Sequence, residues 1–298
     1  MTTAIRTNRL TKDYGRGRGI FDLDLDVGRG EAFGLIGPNG AGKTTTLRLL
    51  MDLARPTRGT ATILGMDTQR DSEHIKRVTA YVPGELPEYP NHTGEAIIDL
   101  FAHLRGGIDP HRISSLARRF EIDLHRRYRE YSHGNKQKVW LIQAFMFDAQ
   151  LYIFDEPTNG LDPLVQQTFR DLLAEARQRG ATVLLSSHVL PEVQEICDRI
   201  GVVHEGRLRQ VGTLGELRLS RVHHIDVSVA RDVDVDRLHH LEGVSAVRVD
   251  DHRVSCDVSG SVEALLAALQ PAGIISIDSA EMSLEQVFLS EYGSDAGR

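Results

Sequence analysis

The sequence predicts an α/β fold in which a mostly parallel sheet is covered by helices on both faces, and three observations lead there. The apolar run Phe33-Gly34-Leu35-Ile36 stands between Gly30 and Gly37 and precedes a helical stretch from Lys43 to about Ala54, which reads as strand, glycine loop, helix. Helix, strand, helix and strand then alternate from about Asn135 to Ser186, an order that implies parallel neighbours. The strand Leu151 to Asp155 is a continuous apolar run up to its closing aspartate, as a strand buried on both faces should be.

The first element is Phe21-Asp22-Leu23-Asp24-Leu25-Asp26-Val27, whose strict alternation predicts one half-exposed antiparallel strand. Its three aspartates read as a solvated strand face rather than a metal cluster. Between about Asp71 and Tyr131 the chain is charged and predicted to be a helical insertion, punctuated by Pro83, Pro87, Pro90 and Pro110. A helix from about Asn135 to Ala149 and the strand Leu151 to Asp155 follow. The next helix runs from about Pro163 to Arg179, with Pro at its start and Gly180 just past its end. The strand Thr182 to Ser186, a helix around Pro191 to Asp198, a strand through Gly201-Val202-Val203 and a turn at Glu205-Gly206 complete this part. Composition shifts near Ser220; from about His223 short alternating runs surround one helix, Val262 to Leu269, which predicts a small α+β domain. The expected division is residues 1–219, with a helical subdomain at about 84–149, and residues 220–298.

With 298 residues the chain is long enough for one large domain and a small one. Its 35 Lys and Arg against 42 Asp and Glu give a net charge of −7, which argues against a protein that coats nucleic acid by bulk charge. Cys197 and Cys256 are too few for a disulfide scaffold, and their separation fits no compact zinc site. The most apolar stretch, Val139 to Phe154, is interrupted by Gln143, Asp148 and Gln150, so no membrane span is expected. Residues 1–10 carry no apolar segment of the kind a secretory signal needs.

Two constellations carry chemistry. Gly37-Pro38-Asn39-Gly40-Ala41-Gly42-Lys43-Thr44 satisfies G-x-x-x-x-G-K-[ST] between a buried strand and a helix, the context its physics requires. Glycines let backbone N–H groups wrap a phosphate, and the helix N-terminus adds about half a positive charge. Lys43 supplies a point charge to β- and γ-phosphates and the Thr44 hydroxyl is placed to ligate Mg²⁺; these eight residues and Thr45 are the candidate nucleotide-binding loop. The second is Leu151-Tyr152-Ile153-Phe154-Asp155-Glu156, a buried strand ending in two carboxylates at the edge where α/β proteins place ligands. Asp155 is expected in the Mg²⁺ shell, and Glu156 is expected to accept a proton from an attacking water.

Three further segments stand in order around this pair: Tyr131-Ser132-His133-Gly134-Asn135-Lys136-Gln137-Lys138, Asn159-Gly160-Leu161-Asp162, and Ser186-Ser187-His188. Together with the glycine loop they make residues from about Thr7 to Leu219 resemble the ATP-binding subunit of an ABC transporter. Ser283-Leu284-Glu285-Gln286-Val287-Phe288-Leu289 is similar to the end of the small C-terminal domain in bacterial ABC-2-type and drug-efflux exporter ATPases. The resemblance implies a mostly parallel core, an antiparallel β subdomain, a helical subdomain and a C-terminal α+β domain. It implies that Tyr14 stacks on adenine, that Ser132, His133, Gly134 and Asn135 form the signature loop that acts in trans, that Asp162 couples two sites and that His188 contacts the γ-phosphate. Physics agrees for the signature: a serine and free N–H groups opening a helix make a second anion site, so one triphosphate between two chains would hold a two-fold pair.

The chain departs from the family pattern at three positions. Gly84 stands in Tyr81-Val82-Pro83-Gly84-Glu85 where a glutamine is usual, so Glu85 is expected to substitute and Glu88 to stand outside the mechanism. His133 and Asn135 replace the commonest signature residues, with the serine and second glycine retained. The paired histidines His223-His224 and His239-His240 point to opposite strand faces and are not expected to chelate. The basic run Arg126-Arg127-Tyr128-Arg129 reads as a solvated helix face.

The resemblance implies an ATPase with ATP and Mg²⁺ as ligands. It also implies a homodimer or pseudo-dimer acting on a separately encoded membrane permease, at the cytoplasmic face of the membrane, with no nucleic-acid partner. A soluble ABC-type regulator is the alternative; the chain has one cassette and no sustained heptads. A GTPase is disfavoured because Asn135-Lys136-Gln137-Lys138 lacks the aspartate that reads guanine.

Overall fold

The structure is a computed structural model and describes residues 2–217 and 222–281. It divides into two compact units, Met1–Val211 and Gly212–Arg298. Ser220 and the segment 283–289 lie outside the described residues.

The first unit opens with β1 (Thr3–Asp13), β2 (Gly19–Leu23) and β3 (Asp26–Gly28). The alternating stretch from Phe21 to Val27 is therefore two strands and not one, both antiparallel to β1. Thr7 bridges the break: its hydroxyl donates to the Leu23 carbonyl at 2.7 Å and accepts from the Leu25 amide at 2.8 Å. The aspartates meet arginines on the open face, Asp22 with Arg58 at 2.9 Å and Asp26 with Arg6 at 2.7 Å. β4 (Ala32–Ile36) is buried throughout and leads to α1 (Lys43–Leu50). β5 (Arg58–Ile63) and β6 (Met66–Asp67) extend the antiparallel sheet in the order β2-β1-β5-β6, with β3 against β1.

Next come α2 (Ser72–Val78) and β7 (Thr79–Val82). The expectation of a wholly helical insertion fails here, because Thr79–Val82 is a parallel edge strand beside Leu151–Phe154. Four residues ended by Pro83 and covered on both faces show no periodicity to read. The helical part is α3 (Gly94–Leu104), α4 (Pro110–Arg119) and α5 (His133–Phe145). α5 starts at His133, since Ser132 is its N-cap: the serine Oγ accepts from the Asn135 N–H at 3.3 Å.

β8 (Leu151–Asp155), α6 (Pro163–Gln178), β9 (Thr182–Ser187), α7 (Leu190–Ile196), β10 (Arg199–His204) and β11 (Arg207–Gly212) complete the sheet. Its order is β11-β10-β4-β9-β8-β7, and the five strands from β10 to β7 are parallel, as the alternation of elements requires. Glu205 and Gly206, at φ 49° and 73°, make the two-residue turn between β10 and β11. One apolar cluster joins both sheets: Ile5, Leu10 and Ile20 meet Leu35, Ile153 and Leu184, with Leu47 and Leu50 of α1 among them. Each such side chain contributes about 1.5–3 kcal/mol on burial, so α1 is held along its apolar face while its N-terminus faces the carboxyl edge of the sheet.

The second unit begins with α8 (Leu214–Leu217), opened by a capping box: the Thr213 amide donates to Glu216 Oε2 at 2.7 Å and the Glu216 amide to Thr213 Oγ1 at 3.4 Å. β12 (Val222–Val229), α9 (Val235–His239), β13 (Val244–Asp250), β14 (Arg253–Ser259), α10 (Glu263–Leu269) and β15 (Ile274–Glu281) follow. The sheet order β13-β14-β12-β15, antiparallel throughout, is the split β-α-β arrangement, with Ile225, Val227, Val254 and Cys256 packed against Leu238, Leu265 and Leu269. Among the described residues after about His223 two α-helices stand where the sequence led us to expect one; α9 is too short to display a helical period. Both cysteines are buried and unpaired with each other, and burial pushes the Cys256 thiol up to about 11.

Candidate active site

The strand order β4-β9-β8-β7 sets four loops side by side at the carboxyl edge of the sheet: Gly37–Thr45 after β4, His188 after β9, Glu156 after β8 and Gly84 after β7. In the first, Gly42 has φ 111°, and a Cβ there would lie 2.6 Å from Ile20 Cγ2, so only glycine fits. α1 has no side-chain cap, which leaves its first amides to a ligand. Lys43 is 6% exposed; its Nζ donates to the Gly37 carbonyl at 2.7 Å and stands 3.3 Å from Glu156 Oε1. Above the loop opens a cavity of about 790 Å³, lined by Asn39–Thr45, Tyr14, Phe21, Glu156 and Arg207 among others.

Asp155 is fully buried at the end of β8. Its Oδ1 accepts from Ser186 Oγ at 2.5 Å, and its Oδ2 has no hydrogen-bond partner among the described residues. A buried carboxylate oxygen without a donor is the state a divalent cation would satisfy, so the site fits Mg²⁺. Glu156 follows at φ 50°, an uncommon conformation for a residue with a side chain, held by its amide donating to the Ser186 carbonyl at 3.1 Å. Its carboxylate, 19% exposed, is gripped from two sides: Lys43 Nζ at Oε1 and His188 Nδ1 at Oε2, 2.8 Å away.

Around this pair sits a second set of hydroxyls. Glu192 Oε2 accepts from Thr158 Oγ1 at 2.6 Å and from Ser187 Oγ at 3.3 Å, which ties the loop after Glu156 to the residue before His188. Tyr81 on β7 lies close by, and its hydroxyl is pushed up to about 12 by burial first and by the Asp155 charge second.

The remaining sequence-predicted residues divide. Tyr14 is half exposed on the cavity rim with Lys12 Nζ 5.3 Å from its ring centre. Ser132, His133, Gly134 and Asn135 form the opening of α5, and Asp162 caps α6 by accepting from the amides of Leu164 and Val165 at 3.1 and 3.0 Å. Gly84 stands against the Asp155 carboxylate: a Cβ at this position would lie 3.0 Å from Asp155 Oδ2. The Glu85 side chain, expected from the sequence to substitute for the missing glutamine, is instead 91% exposed and turned outward to Arg48 at 3.8 Å, so it is not set for that role here. Glu88 is bound twice by Lys136 Nζ of α5, at 2.6 and 2.9 Å.

Sequence reasoning gave no individual role to Ser186, Thr158, Glu192, Arg207 or Gln137. Gln137 had a signal, since a polar residue on the apolar side of a helix is buried and must be paired. Partners of the others are set by tertiary approach and leave no local mark.

A glycine loop at a helix N-terminus, a lysine turned into it, and two adjacent carboxylates faced by a histidine define a P-loop nucleoside-triphosphate hydrolase. Comparison with known proteins narrows the class. Residues 20–159 match the ABC transporter family. The chain is 36% identical over 223 residues to the bacitracin transport ATP-binding protein BcrA of Enterococcus faecalis, which covers 73% of this chain and 71% of that protein. It is 27% identical to the ABC transporter ATP-binding protein YtrB of Bacillus subtilis over 97% of this chain and 98% of that one. Among solved structures, an ATP-binding subunit of an ABC transporter superposes with a TM-score of 0.67 at 34% identity, covering 72% of this chain and 92% of that chain. The fold is also that of an ATP-binding cassette solved as a dimer with ADP and Pi, with a TM-score of 0.64 at 21% identity over 70% of this chain and 98% of that one. The chain belongs to the ATP-binding proteins of ABC transporters, and it is an ATPase subunit. Among the described residues no helix is long and apolar enough to cross a membrane.

Proposed function

We propose that this chain hydrolyses Mg²⁺-ATP to drive a separately encoded membrane permease, that it exports substrate, and that it works as an ATP-closed dimer at the cytoplasmic face of the membrane. One observation carries the catalytic part: the Glu156 carboxylate stands between Lys43 Nζ and His188 Nδ1 at the mouth of the P-loop cavity. With ATP present, Lys43 leaves Glu156 for the β- and γ-phosphates, a stronger anion, and the carboxylate is freed to take a proton from water. His188 Nδ1 keeps Glu156 oriented or turns to the γ-phosphate. Thr44 and Asp155 would hold Mg²⁺, which would offset phosphate charge when bound. Ser132 and Gly134 reach the nucleotide of the partner chain, Tyr14 stacks on adenine, and Asp162 borders the second site. Export is favoured by likeness to a bacitracin transport protein, and dimer formation by the anion site that opens α5. Residues after about 220 act as an accessory domain, a reading supported by their separate apolar cluster and by a relative that matches almost the whole chain.

The test is phosphate release from Mg²⁺-ATP by the full chain, alone and with the membrane protein encoded beside its gene. Release above that of Lys43→Ala, and sedimentation with membranes only when the permease is present, are expected. Release equal to Lys43→Ala refutes the ATPase role, and membrane binding independent of any permease refutes the coupling.

A further inference from the structure

The loop that carries Glu156 and the helix that carries the Ser132–Gly134 loop are joined inside one chain by a side chain given no role so far. Gln137, in the second turn of α5, is 2% exposed although polar. Its Nε2 donates to the carbonyl of Pro157 at 2.9 Å, in a fully buried bond that spans 20 residues of sequence. Pro157 directly follows Glu156, whose left-handed backbone leaves little freedom to the peptide after it. A buried carbonyl there needs a donor, and Pro157 lies in a loop with no strand partner to provide one. Two more contacts lock the same elements. A Cβ on Gly134 would lie 2.6 Å from the Gly160 carbonyl oxygen, and one on Gly160 (φ 76°) would lie 2.7 Å from the His133 ring. The loop 156–162 and the first turn of α5 are therefore pressed together, with a glycine at the closest point on each side.

We infer that Gln137 is a positioning residue that passes the state of one nucleotide site to the other within a single chain. The inference rests on the dimer proposed above. In that dimer Glu156 faces the nucleotide on its own chain, while Ser132 and Gly134 face the nucleotide held by the partner. A movement of Glu156 when Lys43 changes partner shifts Pro157, and the Gln137 amide carries that shift along the axis of α5 to the signature loop. The link runs through one buried hydrogen bond, with two close glycine contacts beside it, and the buried bond makes it a stiff connection.

The test compares the parent with Gln137→Met, which keeps the volume and removes the donor, and Gln137→His, which keeps a ring N–H donor of similar reach. For each, phosphate release is followed against ATP concentration, and ADP affinity is measured with the same full-length protein at concentrations too low for dimers. For two coupled sites the parent shows a Hill coefficient approaching two. Gln137→Met is expected to bind ADP within about twofold of the parent, to lose ~10-fold in kcat, as the loss of a buried hydrogen bond warrants, and to fall to a Hill coefficient of one. Gln137→His is expected to restore most of both. Should Gln137→Met not fold, Gln137→Glu, of the same shape with an acceptor facing the Pro157 carbonyl, is expected to lose the same cooperativity. A parent-like Hill coefficient in a folded donor-less variant overturns the role of Gln137 alone. A parent that hydrolyses ATP with a Hill coefficient of one overturns the two-site dimer, and the inference with it.

Discussion

Glu156→Gln should bind ADP more tightly than the parent. Lys43 and Glu156 stand 3.3 Å apart with side chains 6% and 19% exposed, so a nucleotide that enters the P-loop must take Lys43 from a partner already in place. At an effective dielectric near 20 the gross attraction at that separation is about 5 kcal/mol. Most of it is offset by the cost of desolvating the two charges, which leaves a net of about 1–2 kcal/mol for a close partly buried pair. The phosphates also meet one negative charge fewer in the variant. Together these predict an ADP Kd lower by about 5–30-fold, since 1.4 kcal/mol is a factor of ten. Titration calorimetry with ADP, without Mg²⁺ and at low protein concentration, isolates this from dimer formation. An unchanged or weaker Kd would show that the contact does not oppose nucleotide entry and would refute the reasoning.

Three other outcomes follow from the same geometry. Tyr14→Ala removes an aromatic from the cavity rim and should weaken ATP binding by ~5–100-fold, the scale of a lost base stack; equal affinities in a fluorescence titration would remove Tyr14 from the site. Gly84→Ala places a Cβ 3.0 Å from Asp155 Oδ2 and should raise the Mg²⁺ needed for half-maximal ATP binding by ~5-fold, about 1 kcal/mol of crowding, whereas Glu85→Ala should leave the curve in place. The third concerns pH. A hydrogen bond from Arg112, at 2.8 Å, holds the Asp148 carboxyl below the usual carboxylate range. Its stabilisation is therefore full above the unfolded value near 4 and is lost as pH falls through the folded value. Asp148→Asn should lower stability at pH 7 by ~0.2–1 kcal/mol, as for an exposed pair, and the gap should close below about pH 4. Fluorescence of Trp140, the single tryptophan of the chain, reports this unfolding, and a gap that widens in acid would contradict it.

The catalytic elements were legible where function needs contiguous residues. The P-loop and the Asp155-Glu156 strand end could be read because a phosphate cradle demands glycines, lysine and a helix start at fixed offsets along one backbone. Long apolar strands such as β8 were equally plain. β1 escaped notice because Arg9, at φ 45°, interrupts its period beside a register shift against β5. β7 was hidden by its length and by burial on both faces. The side-chain partners were the least legible. Glu88 and Lys136 are 48 residues apart, Thr158 and Glu192 are 34 apart, and nothing in either local sequence names the other. Glu88 in particular meets Lys136 only because the fold brings α5 beside the loop after β7.

The central claim, that Glu156 takes the proton of the attacking water while Lys43 holds the phosphates, is met most directly by a single-turnover measurement. Mg²⁺-ATP mixed with excess full-length protein should release phosphate at least ~10²-fold more slowly with Glu156→Gln than with the parent, the usual worth of a positioned base. The variant should retain bound ATP throughout. Release at the parental rate by a variant that still binds ATP would contradict the account.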